Sequence, residues 1–188
     1  CLVHFAVDTD EVFMATKLSG KSTYFLPFNK GDGNGKGNPI NPTGHKTAYL
    51  WDEVLTRHSL TNIIEHFAKL VEEEDPDTGK KKQTLFFPRY HQLDVVRQVL
   101  ADVREHGVGQ RYLIQHSAGS GKSNSITWLG YQLIETYDAA GEQNLFDSVI
   151  VVTDRRVLDR QLKDNIRAFS EVKNVVAHAF SSAELKSA

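Results

Sequence analysis

Apolar and polar positions change rhythm several times along the chain. Val3, Phe5 and Val7 alternate, the polar run Asp8-Thr9-Asp10-Glu11 follows, and Val12, Phe13 and Met14 resume the apolar pattern. A further run, Thr23 to Phe28, comes after Ser19-Gly20-Lys21. Val- and Phe-rich runs separated by turn residues predict a β meander or hairpin over residues 1 to 30. The stretch GDGNGKGNPINPTG, residues 31 to 44, is dominated by Gly, Asn and Pro and predicts a long loop. Residues 47 to 73 predict helix: Ser59 is a candidate N-cap for a face made by Ile63, Ile64, Phe67, Leu70 and Val71. The runs Glu72-Glu73-Glu74-Asp75 and Lys80-Lys81-Lys82 read as a solvated, charged turn, and a domain boundary is placed near residue 82.

Beyond that point helix and strand alternate. Leu93 to Glu105 predicts a helix with Val96, Val99, Leu100 and Val103 on one face. Arg111 to Gln115 predicts a short strand, and Ser123 to Tyr137 a helix with Ile126, Leu129, Leu133, Ile134 and Tyr137 at helical spacing. Val149 to Val152 reads as a strand covered on both faces, Arg156 to Phe169 as a helix and Val175 to Phe180 as a strand. Such alternation predicts an α/β domain with a parallel sheet and right-handed crossovers.

Composition narrows the class without naming an activity. The chain has 188 residues, 40% of them hydrophobic and 24% charged, which is ordinary for a globular protein. Lys+Arg total 22 against Asp+Glu 24, so any nucleic-acid surface has to be a local patch. Cys1 is the one cysteine, which excludes an intrachain disulfide and fits a reducing, cytoplasmic setting. No apolar run approaches the roughly 20 residues of a membrane helix. The eight histidines show no zinc-ligand spacing. Because the chain opens on Cys1 and runs directly into an apolar stretch, it reads as a piece of a longer protein.

The chemistry concentrates in Gln115-His116-Ser117-Ala118-Gly119-Ser120-Gly121-Lys122-Ser123, between a predicted strand and a predicted helix. Glycines let the backbone curl close to a ligand, successive N–H groups face one concavity, and the helix N-terminus adds partial positive charge. This is a phosphate-binding loop for ATP: residues 117 to 123 cradle the phosphates, Lys122 reaches the β- and γ-phosphates, and Ser123 offers its hydroxyl to Mg²⁺. The strict pattern has Gly where His116 stands, and His116 reads as locally packed rather than catalytic. The Gly-rich loop at 31 to 44 lacks Gly-Lys-Ser/Thr at a helix start and is rejected as a phosphate site.

Gln92, in Phe87-Pro88-Arg89-Tyr90-His91-Gln92, stands 30 residues before Lys122. The segment resembles the part of superfamily 2 helicases whose glutamine recognises adenine, a task suited to an amide that both donates and accepts. Downstream, the apolar run 149 to 152 ahead of Asp154 has two readings. It is either a strand carrying a Mg²⁺-associated acid, or a helicase segment touching the nucleic-acid backbone. The second is preferred, since Asp154 is followed by arginines, and Thr153, Arg155 and Arg156 are suitable donors to phosphate oxygens.

Taken together, FFPRYHQLDVVR, QHSAGSGKSNSITWL and VIVVTDRRVLDRQL resemble the restriction subunit of type I restriction-modification enzymes. The upstream strings HFAVDTDEVFMATKL, STYFLPFNKG and KTAYLWDEVL resemble the region of that subunit joining nuclease to motor. The resemblance implies a partial α+β nuclease-domain remnant with a helical linker over 1–82, and part of a first RecA-like motor lobe over 83–188. It implies a parent that cuts double-stranded DNA after ATP-driven translocation, with methylase (modification) and specificity subunits as partners and no membrane. The nuclease residues are expected upstream of Cys1, and the acidic ATPase motif and second lobe beyond Ala188. The fragment alone is therefore expected to bind nucleotide weakly, without efficient hydrolysis or cleavage. A generic P-loop ATPase or kinase, or a non-catalytic nucleotide-binding or docking module, are the alternatives.

Overall fold

The structure, a computed structural model, describes residues 1–33, 35–74, 79, 81–138, 140–153, 162, 166, 177, 179 and 182–187. The chain divides into two compact units, Cys1–Val149 and Ile150–Ala188.

The first unit opens on a three-stranded antiparallel sheet, β1 (His4–Val7), β2 (Val12–Ala15) and β3 (Leu26–Pro27), in that order. The β1–β2 turn is set by Asp8, whose Oδ1 accepts the N–H groups of Asp10 and Glu11, each at 2.8 Å. Short polar side chains favour turns because they can satisfy backbone donors locally. β2 is the covered strand: Val12, Met14 and Ala15 are buried. The Gly-rich loop is a loop, as its composition predicts, and it is pinned by buried Asn38. Asn38 donates to the Asp10 carbonyl and to Asn29 Oδ1, both at 2.9 Å, and accepts from the Lys30 N–H at 2.8 Å.

A π-helical turn at Leu50–Val54 leads into α1 (Arg57–His66). Thr56 caps this helix, accepting the Ser59 N–H at 3.3 Å, so the N-cap lies three residues before the expected Ser59. The helix also stops short of Val71. Leu70 and Val71 belong instead to β4 (Lys69–Glu74), which pairs antiparallel with β5 (Lys81–Phe86). Ladder pairing overrides the helical spacing there, and burial alternates as a strand requires, with Leu70 60% exposed and Val71 buried. Parts of the acidic and basic runs pair in register across this ladder, and Glu72 and Lys81 are solvent-exposed as expected. Glu73 and Glu74 are in register with Lys82 and Lys81, and Lys81 Nζ lies 3.7 Å from Glu72.

α2 (Tyr90–His106) buries the predicted stripe of Leu93, Val96, Val99, Leu100 and Val103, and ends at Gly107, whose φ is +74°. Its first turn is locked to the upstream sheet by edge-on aromatic contacts. Phe28 meets Tyr90 at 5.9 Å between ring centroids, Tyr49 meets Tyr90 at 5.1 Å, and Phe5 meets Phe28 at 5.2 Å. α3 (Lys122–Ile134) packs against α2. Its buried face is not the expected apolar stripe: Ser125, Thr127, Trp128 and Gln132 are inside, while Ile126 and Tyr137 are exposed. Trp128 decides the orientation, since its ring packs on Phe67 and its Nε1–H donates to the Phe67 carbonyl at 2.9 Å.

The expected parallel sheet is not formed among the described residues, where every strand pair is antiparallel. Residues 111–115 and 149–152 have no regular secondary structure and no strand pairing. A strand covered on both faces needs a ladder partner to bring it inside. Neither segment has one among the described residues, and Leu113 is 94% and Val152 87% exposed. In the second unit Thr153 follows with no regular secondary structure and α4 (Ser182–Ser187) is a short helix. Of the expected helix over 156–169 only Leu162 and Ile166 are described, both helical and Leu162 buried, and of the expected strand over 175–180 only Ala177 and Ala179, neither in a strand; the rest of both lies outside the described residues. Among the described residues no helix is long and apolar enough to cross a membrane.

Candidate phosphate-loop site

The loop 117–121 connects the irregular segment 110–116 to α3. Gly119 and Gly121 take positive φ, +71° and +80°, a region that side chains with a Cβ rarely enter. The two glycines differ in what surrounds them. A Cβ on Gly119 would meet nothing within 4 Å, so that position is open. A Cβ on Gly121 would lie 2.5 Å from Gln92 Nε2, so this position admits only hydrogen. Gly121 is also the N-cap of α3, so the positive end of the helix dipole lies at the loop.

Lys122 folds over the loop, donating from Nζ to the carbonyls of Ser117 at 2.8 Å and His116 at 3.2 Å. Its ammonium is thereby held against the loop by neutral carbonyl acceptors that an anionic phosphate would outcompete. Ser123 is partly exposed at the start of α3, next to Lys122. The Ser120 hydroxyl is buried with no hydrogen-bond partner among the described residues. An open glycine, a lysine over the loop, a hydroxyl at the helix start and a buried hydroxyl without a partner together fit a triphosphate with Mg²⁺.

The first turn of α2 grips this loop from behind. Gln92 is only 3% exposed, and its Nε2 donates to the carbonyls of Gly121 at 2.9 Å and Ser120 at 3.3 Å. Its Oε1 accepts the Arg89 N–H at 2.9 Å. Both ends of the amide are thus engaged, and the residue expected to read adenine here braces the loop. Arg89 Nη2 donates to the Gly119 carbonyl at 3.2 Å, and His91 Nε2 lies 3.0 Å from the Ser120 carbonyl. His91 stands edge-on to His116, 4.9 Å between ring centroids, which gives His116 the packed local role its sequence position suggests.

Burial holds both imidazoles below the usual histidine range, and nearby cations reinforce the effect: Arg89 for His91, Lys122 and then Arg89 for His116. A neutral His91 carrying its proton on Nε2 is therefore the donor to Ser120. Arg89 and His91 were not singled out from the sequence. The only signal available was their place in the turn that carries Gln92.

The structure brings Gln92 and residues 117–123 into one site. Thr153 sits in the second unit, and Arg155 and Arg156, with Asp154, lie outside the described residues.

The family model described as SWI2/SNF2 ATPase matches residues 91–188, a span that begins in the first turn of α2 and takes in the whole loop. The chain belongs to the SWI2/SNF2 ATPase family. Membership makes it a superfamily 2 helicase-like ATPase, a nucleotide-binding hydrolase that uses ATP, usually with Mg²⁺. Comparison with curated proteins gives no match, and comparison with solved structures gives none. The SWI2/SNF2 match leaves residues 1–90 uncovered, so the sheet, the Gly-rich loop and α1 lie outside it.

Proposed function

We propose that this SWI2/SNF2 chain is part of the DNA-translocating endonuclease subunit of a type I restriction enzyme. In it, residues 117–123 hold the phosphates of ATP. The observation that carries the reading is the loop itself: the Lys122 ammonium folds back onto the Ser117 carbonyl of a loop turned by the positive φ of Gly119 and Gly121, at the N-terminus of α3. The upstream resemblance supplies the narrower part, since residues 1–82 look like the region joining nuclease to motor in that subunit.

In this reading each residue has a defined task. The N–H groups of the loop bind phosphate oxygens, and Lys122 leaves the Ser117 carbonyl for the β- and γ-phosphates. Ser123 supplies a hydroxyl to Mg²⁺, which would polarise the terminal phosphate when bound. Gln92 exchanges a loop carbonyl for N7 of adenine, and its Oε1, which holds the Arg89 N–H on one lone pair, takes the exocyclic amine on the other. Thr153, Arg155 and Arg156 contact the backbone of double-stranded DNA. The parent works in the cytoplasm with methylase and specificity subunits, the latter choosing the DNA site.

The test is ATP hydrolysis by the full-length parent with its partner subunits, with and without double-stranded DNA. Strong stimulation by DNA, abolished by Lys122→Ala, is the expected result. Turnover indifferent to DNA would overturn the motor reading in favour of a DNA-independent P-loop enzyme.

A further inference from the structure

We propose that Arg89 and His91 are positioning residues of the phosphate loop, turning its N–H groups toward the ligand by holding its carbonyls from the opposite side. The inference rests on the phosphate-loop reading above and extends it to two residues outside the loop.

The argument is one of peptide geometry. In a trans peptide the C=O of one residue and the N–H of the next point in opposite directions. Every peptide in this chain's described part is trans. Fixing the Gly119 carbonyl therefore fixes the Ser120 N–H, which makes a long 3.4 Å bond to the Ser117 carbonyl; fixing the Ser120 carbonyl fixes the Gly121 N–H; and fixing the Gly121 carbonyl, which α3 also holds through the Asn124 and Ser125 N–H groups, fixes the Lys122 N–H. Those three carbonyls are the ones engaged by the first turn of α2: Arg89 Nη2 at 3.2 Å, His91 Nε2 at 3.0 Å and Gln92 Nε2 at 2.9 Å. The N-cap and two first-turn residues of α2 thus hold three consecutive peptides of the loop.

A glycine-rich loop needs such support. Gly119 and Gly121 have the most backbone freedom to lose, and a loop that orders only when the ligand arrives loses affinity to that ordering. Binding from behind removes part of that loss beforehand. The clamp is itself held in place. Tyr90 lies between these residues in sequence and points the other way, packed against Phe28 and Tyr49. His91 is backed by the edge-on ring of His116. This accounts for a histidine at a position where phosphate loops ordinarily have glycine: it packs on a clamp residue.

The proposal separates from adenine recognition by its ligand dependence. A clamp acting through loop N–H groups serves phosphate, so its loss weakens any triphosphate equally, whatever the base. The experiment measures binding of Mg-ATP, Mg-GTP and inorganic tripolyphosphate to the full chain by calorimetry. The variants are His91→Ala, Arg89→Ala, His91→Gln, Arg89→Lys and Lys122→Ala, each checked for its fold by circular dichroism.

The expected result is a loss of roughly 3- to 10-fold for His91→Ala and Arg89→Ala, the same for all three ligands. His91→Gln, which keeps a donor at the same reach, restores most of it. If Arg89→Ala or His91→Ala weakens ATP but leaves tripolyphosphate unchanged, the clamp is wrong and the turn reads the base. If an alanine variant does not fold, the conservative variants decide: His91→Gln and Arg89→Lys must both bind tripolyphosphate within about 3-fold of wild type, and a larger loss overturns the proposal. Should Lys122→Ala leave tripolyphosphate binding intact, the phosphate-loop reading itself fails and the clamp with it.

Discussion

Gln92 Nε2 occupies the space that a side chain on Gly121 would need, lying 2.5 Å from the ideal Cβ position. The two residues are 29 apart in sequence and belong to different helices, yet each excludes alternatives at the other. Gly121→Ala therefore combines two penalties: a Cβ in a left-handed backbone at φ +80° and displacement of a buried amide. The expected cost is about 2–4 kcal/mol. Chemical denaturation checks the stability, and nucleotide titration should show binding lost with it. A variant as stable as wild type would mean that Gln92 swings aside freely and does not brace the loop.

Trp128 is the second anchor of α3. It is 1% exposed, packs on Phe67 and donates to the Phe67 carbonyl at 2.9 Å. Trp128→Phe keeps most of the apolar surface but strands that carbonyl, for an expected loss of about 1–3 kcal/mol. Trp128→Ala adds a cavity and should lose about 3–5 kcal/mol. Urea denaturation followed by circular dichroism separates the two, and a Trp128→Phe variant as stable as wild type would show that the hydrogen bond contributes nothing.

The turn of the loop at the start of α3 was legible because it is local: Gly119 and Gly121 stand where the backbone takes positive φ, immediately before the helix. The stripe of α2 was legible for a similar reason, since Leu93, Val96, Leu100 and Val103 repeat at helical spacing with no competing period. Other elements turn on contacts that sequence spacing does not encode. Leu70 and Val71 continue the helical spacing of α1, but a β5 partner draws them into a ladder. On α3 the apolar residues outnumber the places available, and Trp128 decides which face goes inside because it alone can both pack on Phe67 and satisfy its carbonyl. The segments 111–115 and 149–152 are apolar enough for strands, but a strand is defined by its neighbour, and among the described residues they have none. The clamp at Arg89 and His91 was invisible for the same reason, as it depends on the α2–α3 packing that sets one turn behind another.

The β1–β2 turn predicts a response to acid. Two backbone N–H groups donate to Asp8 and hold its carboxyl below the usual value of 3.8, and Lys46, 2.8 Å from Asp10, does the same for that residue. A carboxyl lowered in the folded state contributes stability that is present above its unfolded value and is lost as pH falls through the folded one. The turn should therefore hold from neutral pH down to about 4 and loosen below it. Hydrogen exchange at the Asp10 and Glu11 amides, followed between pH 6 and pH 2 and corrected for intrinsic rates, reads this directly. Asp8→Asn keeps an acceptor oxygen that does not titrate, and should remove the Asp8 part of the dependence. Unchanged protection across the range in wild type would show that the carboxylate does not hold the turn.

Tyr49 and Tyr90 stand edge-on to each other, yet they should respond differently to loss of the hydroxyl. Both rings are buried, and burial raises both phenols well above their usual range, so each stays protonated and can donate. Tyr49 donates to the Phe28 carbonyl at 2.7 Å in a buried site. Tyr90 reaches Glu53 only at 3.4 Å, and that carboxylate is already held by Lys30 at 2.7 Å. Tyr49→Phe leaves a buried carbonyl without its partner and should lose about 1–2 kcal/mol, whereas Tyr90→Phe should lose under about 0.5 kcal/mol. The aromatic packing is kept in both, so the difference isolates the hydroxyl. Paired urea denaturation curves measure it. A Tyr90→Phe variant at least as destabilised as Tyr49→Phe would place the weight of this cluster on Glu53 and Lys30 instead of on the Phe28 carbonyl.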